Sequence, residues 1–384
     1  MHALVLLAQA EAEVTDDATV FSRIGWLVAV VLIVGFLIGA FIVMRQARPE
    51  LGSEIELAAN RKPYYEDDEL ETKRLDRVLF FGLLLLGLVA VALPLYWLYE
   101  PGRQADAVEQ WNETFVERGE EIYTAGANCQ ACHGPEGTGG VASTAILNDK
   151  GEFVAQVNWQ APALNTVLYR YSREEVLYIL NYGRPGTPMP AWGAPGGGPL
   201  TEQQLENTVD YLFSIQLPAD EAAAARDEEL ETVCKPERDA DGALVGVNPV
   251  CTAEDAAFET YGEAVFNLGL DSGFQAGAYS CGRCHTKGWS YGDPQLAGGG
   301  GALGPNLRDG SELRQFPTAA DQVEFVSGGS EQGIGYGSTG QGSGKMPGYL
   351  FNPNAEGDDA RMEVDQIMYT PEMVDAVVAY ERGL

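Results

Sequence analysis

The chain has 384 residues, 56 of them acidic and 24 basic, for a formal net charge of −32. That balance makes nucleic acid and anionic membrane surfaces poor partners, because both would be repelled. The length leaves room for two or three modules, each with its own core.

In chain order, the first features are two apolar blocks without a single charge, 24–44 and 78–99. Each has about the 20 residues that a helix needs to cross a bilayer core. Pro94 lies in the second, where a membrane helix tolerates it. The stretch 2–9 is apolar but short and has no basic residue before it, which does not favour a cleaved signal peptide. Arg45, Arg48, Arg61, Lys62, Lys73, Arg74 and Arg77 lie between the blocks, against Arg23 alone on the N-terminal side. By the positive-inside rule, which counts basic residues only, the segment between the blocks is cytoplasmic. The expected layout is an extracytoplasmic N-terminus (1–23), transmembrane helix (24–44), cytoplasmic loop (45–77) and transmembrane helix (78–99). The rest lies outside a plasma membrane, making the chain a multi-pass protein in the lipid bilayer. That external part carries 43 acidic and 16 basic residues. Its acidity reads either as a solubilising surface or as a docking face for a basic redox partner.

Beyond residue 100 the chain repeats itself. A helical stretch at 117–123 leads to Cys129-Gln130-Ala131-Cys132-His133, and one at 260–266 leads to Cys281-Gly282-Arg283-Cys284-His285. Both stretches contain Gly-x-x-x-aromatic, Gly119/Tyr123 and Gly262/Phe266. Each repeat continues through Gly- and Pro-rich sequence to a Pro-x-Leu element at Pro162 or Pro305. Each then ends in a helix, 201–216 with Thr201 and Gln204 as a capping box around its start, and 371–382 with proline in its first turn. β-Branched alternation is scarce, which predicts helices and wrapping loops rather than sheet. The domains expected are 100–217 and 255–384. The linker 218–254 between them holds Cys234 and Cys251, predicted to form a disulfide outside the cytoplasm.

Cys-x-x-Cys-His is the attachment signal for c-type heme: two thiols add to the vinyl groups, and the next residue is set under the iron. Two copies in matched repeats predict two covalently bound hemes c, attached at Cys129, Cys132, Cys281 and Cys284. His133 and His285 are then the proximal iron ligands. The chain's third histidine, His2, is separated from them by the first apolar block, so bis-histidine ligation is excluded. Methionine becomes the candidate sixth ligand. Met189 and Met346 each precede a proline, 56 and 61 residues beyond their histidines. Flanking Pro and Gly hold such a loop stiff enough to present a thioether to iron. The carbonyls of Pro162 and Pro305 are candidates to accept the histidine Nδ1 hydrogens. No catalytic residue is assigned.

On these motifs the stretches 111–216 and 255–384 resemble class I cytochromes c in tandem. The resemblance implies a mainly α fold, a two-helix transmembrane hairpin followed by two such domains, in which the first and last helices cross at Gly119/Tyr211 and Gly262/Tyr380. The whole layout resembles the diheme subunit of C-family heme–copper oxidases. It is also similar to the cytochrome cc subunit of cytochrome b/Rieske complexes. The implied function is single-electron transfer in a respiratory chain, as the cytochrome c subunit of a quinol–cytochrome c reductase or, alternatively, of a terminal heme–copper oxidase. A diheme peroxidase or a heme sensor is the competing class, since either needs an open sixth position at iron.

Overall fold

A computed structural model describes Glu66 and residues 68–148, 150–292, 303–331, 333–350 and 369–384, with scattered positions between 30 and 42. The chain divides into two compact units, Met1–Pro101 and Gly102–Leu384.

In the first unit, the described positions of the 24–44 block are helical, and Val30, Val34 and Ile38 among them are exposed. The remainder of that expected helix, the N-terminus 1–23 and most of the loop 45–77 lie outside the described residues. Helix α1 spans Leu75–Glu121, with one π-helical turn before it and one after. Together these make one 58-residue run, Glu69–Gly126, the one helix among the described residues long and apolar enough to cross a membrane. Leu83, Leu86, Trp97 and Leu98 on it are exposed, so this apolar stretch is no soluble core helix. The sequence predicts an end at 99 and a fresh start near 117; the helix instead runs through. Pro101 removes one donor, while Gln104, Ala105, Ala107, Glu109 and Gln110 beyond it are strong helix formers that carry the pattern on.

In the second unit the first repeat contains α2 (Gln130–His133), β1 (Gly140–Leu147), β2 (Phe153–Ala161), α3 (Arg173–Tyr182) and α4 (Glu202–Ser214). The strands correct the expectation of helices without sheet. They pair antiparallel from Gly140 opposite Ala161 to Leu147 opposite Phe153. Val141, Thr144, Ile146, Val154 and Val157 supply β-branched positions, but interleaved Ala and Ser dilute the alternation that would have betrayed them. The turn is fixed by Asn148, whose Oδ1 accepts from the backbone N–H of Lys150 and of Glu152, both at 2.9 Å.

α5 (Ala219–Val233) follows, then α6 (Tyr261–Phe266), α7 (Gly282–His285), α8 (Ser311–Gln315), α9 (Ala319–Gly328) and α10 (Pro371–Glu381). The stretch read as linker is not a free connector. Ala222, Leu230 and Val233 of α5 are buried in one core with Tyr261, Val265 and Val377 of the second repeat. Residues Cys234 and Cys251 are joined as a disulfide.

Each repeat closes on a crossing between its first and last helices. The expected capping box forms at α4, where Gln204 N–H donates to Thr201 Oγ1 and Thr201 N–H to Gln204 Oε1 at 3.0 Å. A Cβ on Gly119 would sit 1.9 Å from the Asn207 carbonyl oxygen of α4 and 2.7 Å from Tyr211 Cβ. On Gly262 it would sit 2.1 Å from the Ala376 carbonyl oxygen of α10 and 2.9 Å from Tyr380 Cβ. Both contacts are far inside van der Waals distance, so only glycine permits the crossing. The aromatic pairs Tyr123/Tyr211 (5.2 Å) and Phe266/Tyr380 (5.4 Å) seal the two crossings.

Alanine in a helix is favoured over glycine by about 1 kcal/mol. Gly119→Ala and Gly262→Ala are nevertheless expected to destabilise, each by about 1–3 kcal/mol, because the helices must part. Thermal denaturation followed by circular dichroism measures this; an unchanged or raised midpoint would show that the crossing does not need glycine.

Candidate functional site

The two Cys-x-x-Cys-His sequences form matching single turns. His133 N–H donates to the Cys129 carbonyl at 2.9 Å, and His285 N–H to the Cys281 carbonyl at 3.0 Å. One such turn brings two thiols and an imidazole to the same rim. His133 Nδ1 lies 2.8 Å from the Pro162 carbonyl oxygen, and His285 Nδ1 2.9 Å from that of Pro305. A carbonyl only accepts, so each Nδ1 carries the proton and each Nε2 keeps its lone pair. Burial pushes both histidines below their usual pKa; at His133 the Pro162 carbonyl opposes this and the Arg283 guanidinium adds to it. These are neutral imidazoles fixed in the tautomer a metal ligand needs.

Cys129, Cys132, His133 and Met189 all line one cavity of about 1550 Å³, open mouth included. Leu164, Val167, Val176, Leu180 and Leu212 give it an apolar wall. Cys284, from the second motif, lines the same cavity. In the second repeat, Met346 packs against the buried core that contains Cys281, and Gly304 lies so close to the His285 ring that a Cβ there would be 2.6 Å from Nδ1.

The two methionine loops are held in the same way, by a feature the sequence reading missed. α3 and α9 each end at a glycine of positive φ, Gly183 (67°) and Gly329 (78°). The next residue's N–H donates to the methionine carbonyl: Arg184 to Met189 at 3.0 Å, Ser330 to Met346 at 2.9 Å. A Cβ on either glycine would lie 2.7 Å from that same carbonyl oxygen. Signals for α3 were present in the Ser172/Glu175 capping box and in Gly183 just past its end.

The thiols are poor candidates for a thiolate site. Burial raises Cys129 to about 11, and burial also raises Cys281 and Cys284. Among the described residues no three His, Cys, Asp or Glu side chains gather as a zinc site requires. Neutral thiols beside a lone-pair-bearing imidazole, a thioether and an apolar wall fit a large flat cofactor attached through sulfur. A buried polar atom without a partner adds to the fit: Arg170 Nε, on a side chain lining the same cavity.

Compared with known proteins, residues 115–212 match the family model described as "Cytochrome C oxidase, cbb3-type, subunit III". No curated protein matches, and no solved structure matches. The matched segment runs from the end of α1 into α4 and includes Cys129, Cys132, His133, Pro162 and Met189. The match supports a cytochrome c domain over this segment, and a domain of that kind implies covalently bound heme c.

Gly183→Ala forces a left-handed conformation on alanine and a clash with the Met189 loop. The expected outcome is a loss of about 1–3 kcal/mol in stability together with a displaced Met189. Denaturant titration combined with the rate of Met189 oxidation by peroxide reads both; an unchanged stability and an unchanged rate would show that Gly183 does not hold the loop.

Proposed function

We propose that the protein is a membrane-anchored electron relay carrying two hemes c outside the cytoplasm, each with histidine and methionine as axial ligands. The observation that supports it best is the convergence of Cys129, Cys132, His133 and Met189 on one apolar-walled cavity. Heme c supplies a reversible one-electron couple at iron. Cys129 and Cys132 hold it covalently. His133, held by the Pro162 carbonyl, would ligate the iron through Nε2, and Met189, held by Gly183 and Arg184, would ligate it through its thioether. A His/Met pair raises the reduction potential relative to bis-histidine, which suits the high-potential end of a respiratory chain. The apolar wall excludes water and strengthens that tuning.

The second repeat carries the same set in Cys281, Cys284, His285, Pro305 and Met346, and the same backbone support, so the reading extends to a second heme and a second cytochrome c domain. Cys284 on the wall of the first cavity brings the two attachment turns together, as a relay needs. The anchor reading takes 24–44 and 78–99 as a transmembrane hairpin, and the Cys234–Cys251 disulfide fits an oxidising, extracytoplasmic setting.

A peroxidase or sensor needs an iron with an open position and an acid–base group beside it. Asp, Glu and further His are missing from the described cavity lining. In the relay, His133 and Met189 would leave no open position at the iron.

As for the assembly, the first reading is the cytochrome c subunit of a quinol–cytochrome c reductase (cytochrome b/Rieske), and the alternative is that of a terminal heme–copper oxidase. The description of the matched family gives an observation in favour of the heme–copper oxidase alternative. Purification of the tagged protein in mild detergent, followed by mass spectrometry of what accompanies it, separates the two: cytochrome b and Rieske subunits for the first, copper-oxidase subunits for the second.

The relay predicts that the reduced wild-type protein does not bind carbon monoxide, whereas Met189→Ala binds it at one heme per chain. Spectral titration checks this. Stoichiometric binding by the wild type would replace the relay with a peroxidase or sensor.

A further inference from the structure

Three arginines line the cavity that holds Cys129, Cys132, His133 and Met189, and not one of its described lining residues is Asp or Glu. In a chain with 56 acidic residues, that segregation asks for a cause. Arg170 is 6 % exposed, its Nε has no hydrogen-bond partner, and its Nη2 reaches the Ala163 carbonyl only at 3.5 Å. Its guanidinium lies 5.0 Å from the centroid of the Tyr279 ring and 5.4 Å from that of Tyr171. Arg184 lies 5.3 Å from the same Tyr171 ring. Arg283 stands inside the second Cys-x-x-Cys-His turn but reaches into the first repeat, where Nη2 donates to the Gln160 carbonyl of β2 at 2.6 Å. Its Nη1 donates to the Ala276 carbonyl at 2.9 Å.

Among the described residues none of the three pairs with a carboxylate. Aromatic faces and backbone carbonyls orient a guanidinium but do not neutralise it. Like charges gathered at a low-dielectric site hold together only when an anion joins them. The anion must come with the cavity's occupant, and planar guanidinium forks suit carboxylates above other acceptors. Heme carries two carboxylate side chains.

We propose that the guanidiniums of Arg170, Arg184 and Arg283 hold the carboxylate side chains of the heme attached at Cys129 and Cys132. Arg283, a residue of the second attachment motif, thereby completes the first heme's site. This rests on the heme reading above. It makes the junction between the repeats a functional part of the first site: Arg283 links it to the second attachment turn, and the positive charge favours the reduced, less positive iron.

The test uses the full-length protein in detergent, with R170Q, R283Q and R283K, each assayed for covalent heme by pyridine hemochrome and for midpoint potential by redox titration. R170Q and R283Q are expected to keep their heme and to lower one of the two midpoints by at least tenfold in the reduction equilibrium, which is 59 mV for one electron. R283K, which keeps the charge but not the fork, should retain most of the wild-type midpoint. That result separates charge from scaffolding, because Gln and Lys both disturb the two backbone hydrogen bonds. If R283Q sheds heme while R283K keeps it, the charge is needed for holding and the proposal stands. Wild-type midpoints in both Gln variants with full heme content would overturn it. So would a saturable shift of the wild-type midpoint on adding inorganic phosphate, which would make the cluster a free-anion site. A wild-type protein without covalent heme would sink the heme reading itself, and the clamp with it.

Discussion

Much of the site's chemistry depends on one hydrogen bond, from His133 Nδ1–H to the Pro162 carbonyl. A histidine can present either ring nitrogen, and burial alone does not choose between them. The carbonyl does, because it cannot donate. With the proton held on Nδ1, Nε2 is left as the donor atom, and the one-turn helix Gln130–His133 sets it on the rim where the thiols also lie. The same bond recurs between His285 and Pro305. Two independent segments, 29 and 20 residues away in sequence, deliver a carbonyl to the same ring atom. Loops that long need support, and much of the surrounding packing supplies it.

Close approach is the recurrent means. Gly119 and Gly262 let the first and last helices of each repeat touch backbone to backbone, which fixes where the attachment turn sits relative to α4 or α10. Gly183 and Gly329 turn the chain at the ends of α3 and α9 and hand the next N–H to the methionine carbonyl. The thioether-bearing loop is thus held by backbone bonds rather than by its own side chain. Tyr123 adds a link within the first repeat, its hydroxyl donating to the Gly134 carbonyl one residue past the histidine at 2.7 Å. Between the repeats the contacts include specific hydrogen bonds: Tyr279 Oη donates to the Thr166 carbonyl at 3.1 Å, and Ala163 N–H to the Gln275 carbonyl at 3.1 Å.

The proposed chemistry is read from the sequence, because it is carried by residue types that do little else in such spacing. Cys-x-x-Cys-His, Met-Pro and Pro-x-Leu each name a role, and three histidines in the whole chain leave few ways to ligate iron. The helix crossings followed from the resemblance to class I cytochromes c, carried by Gly-x-x-x-aromatic and the terminal tyrosines, and the structure places them there. What escaped was structure carried by unremarkable residues. The β-hairpin hides in Gly-Val-Ala-Ser-Thr-Ala-Ile-Leu, where small side chains blur the period of two. The length of α1 escaped because the reading followed the uncharged block, which ends at Tyr99, whereas the helix continues past Pro101. The role of α5 escaped because an Ala- and Glu-rich stretch reads as solvated, although one face of it completes the second core. Arg170, Arg184 and Arg283 escaped for a different reason: they are far apart in sequence and meet only once the two repeats pack.

The central claim is that two repeats on one chain carry two hemes. Intact-mass spectrometry with pyridine hemochrome counting, on the wild type and on a Cys281→Ser/Cys284→Ser variant, tests it most directly. The account predicts two covalent hemes on the wild type and one on the variant, with the first site still loaded. A single heme on the wild type, or a count unchanged by the double substitution, would contradict it.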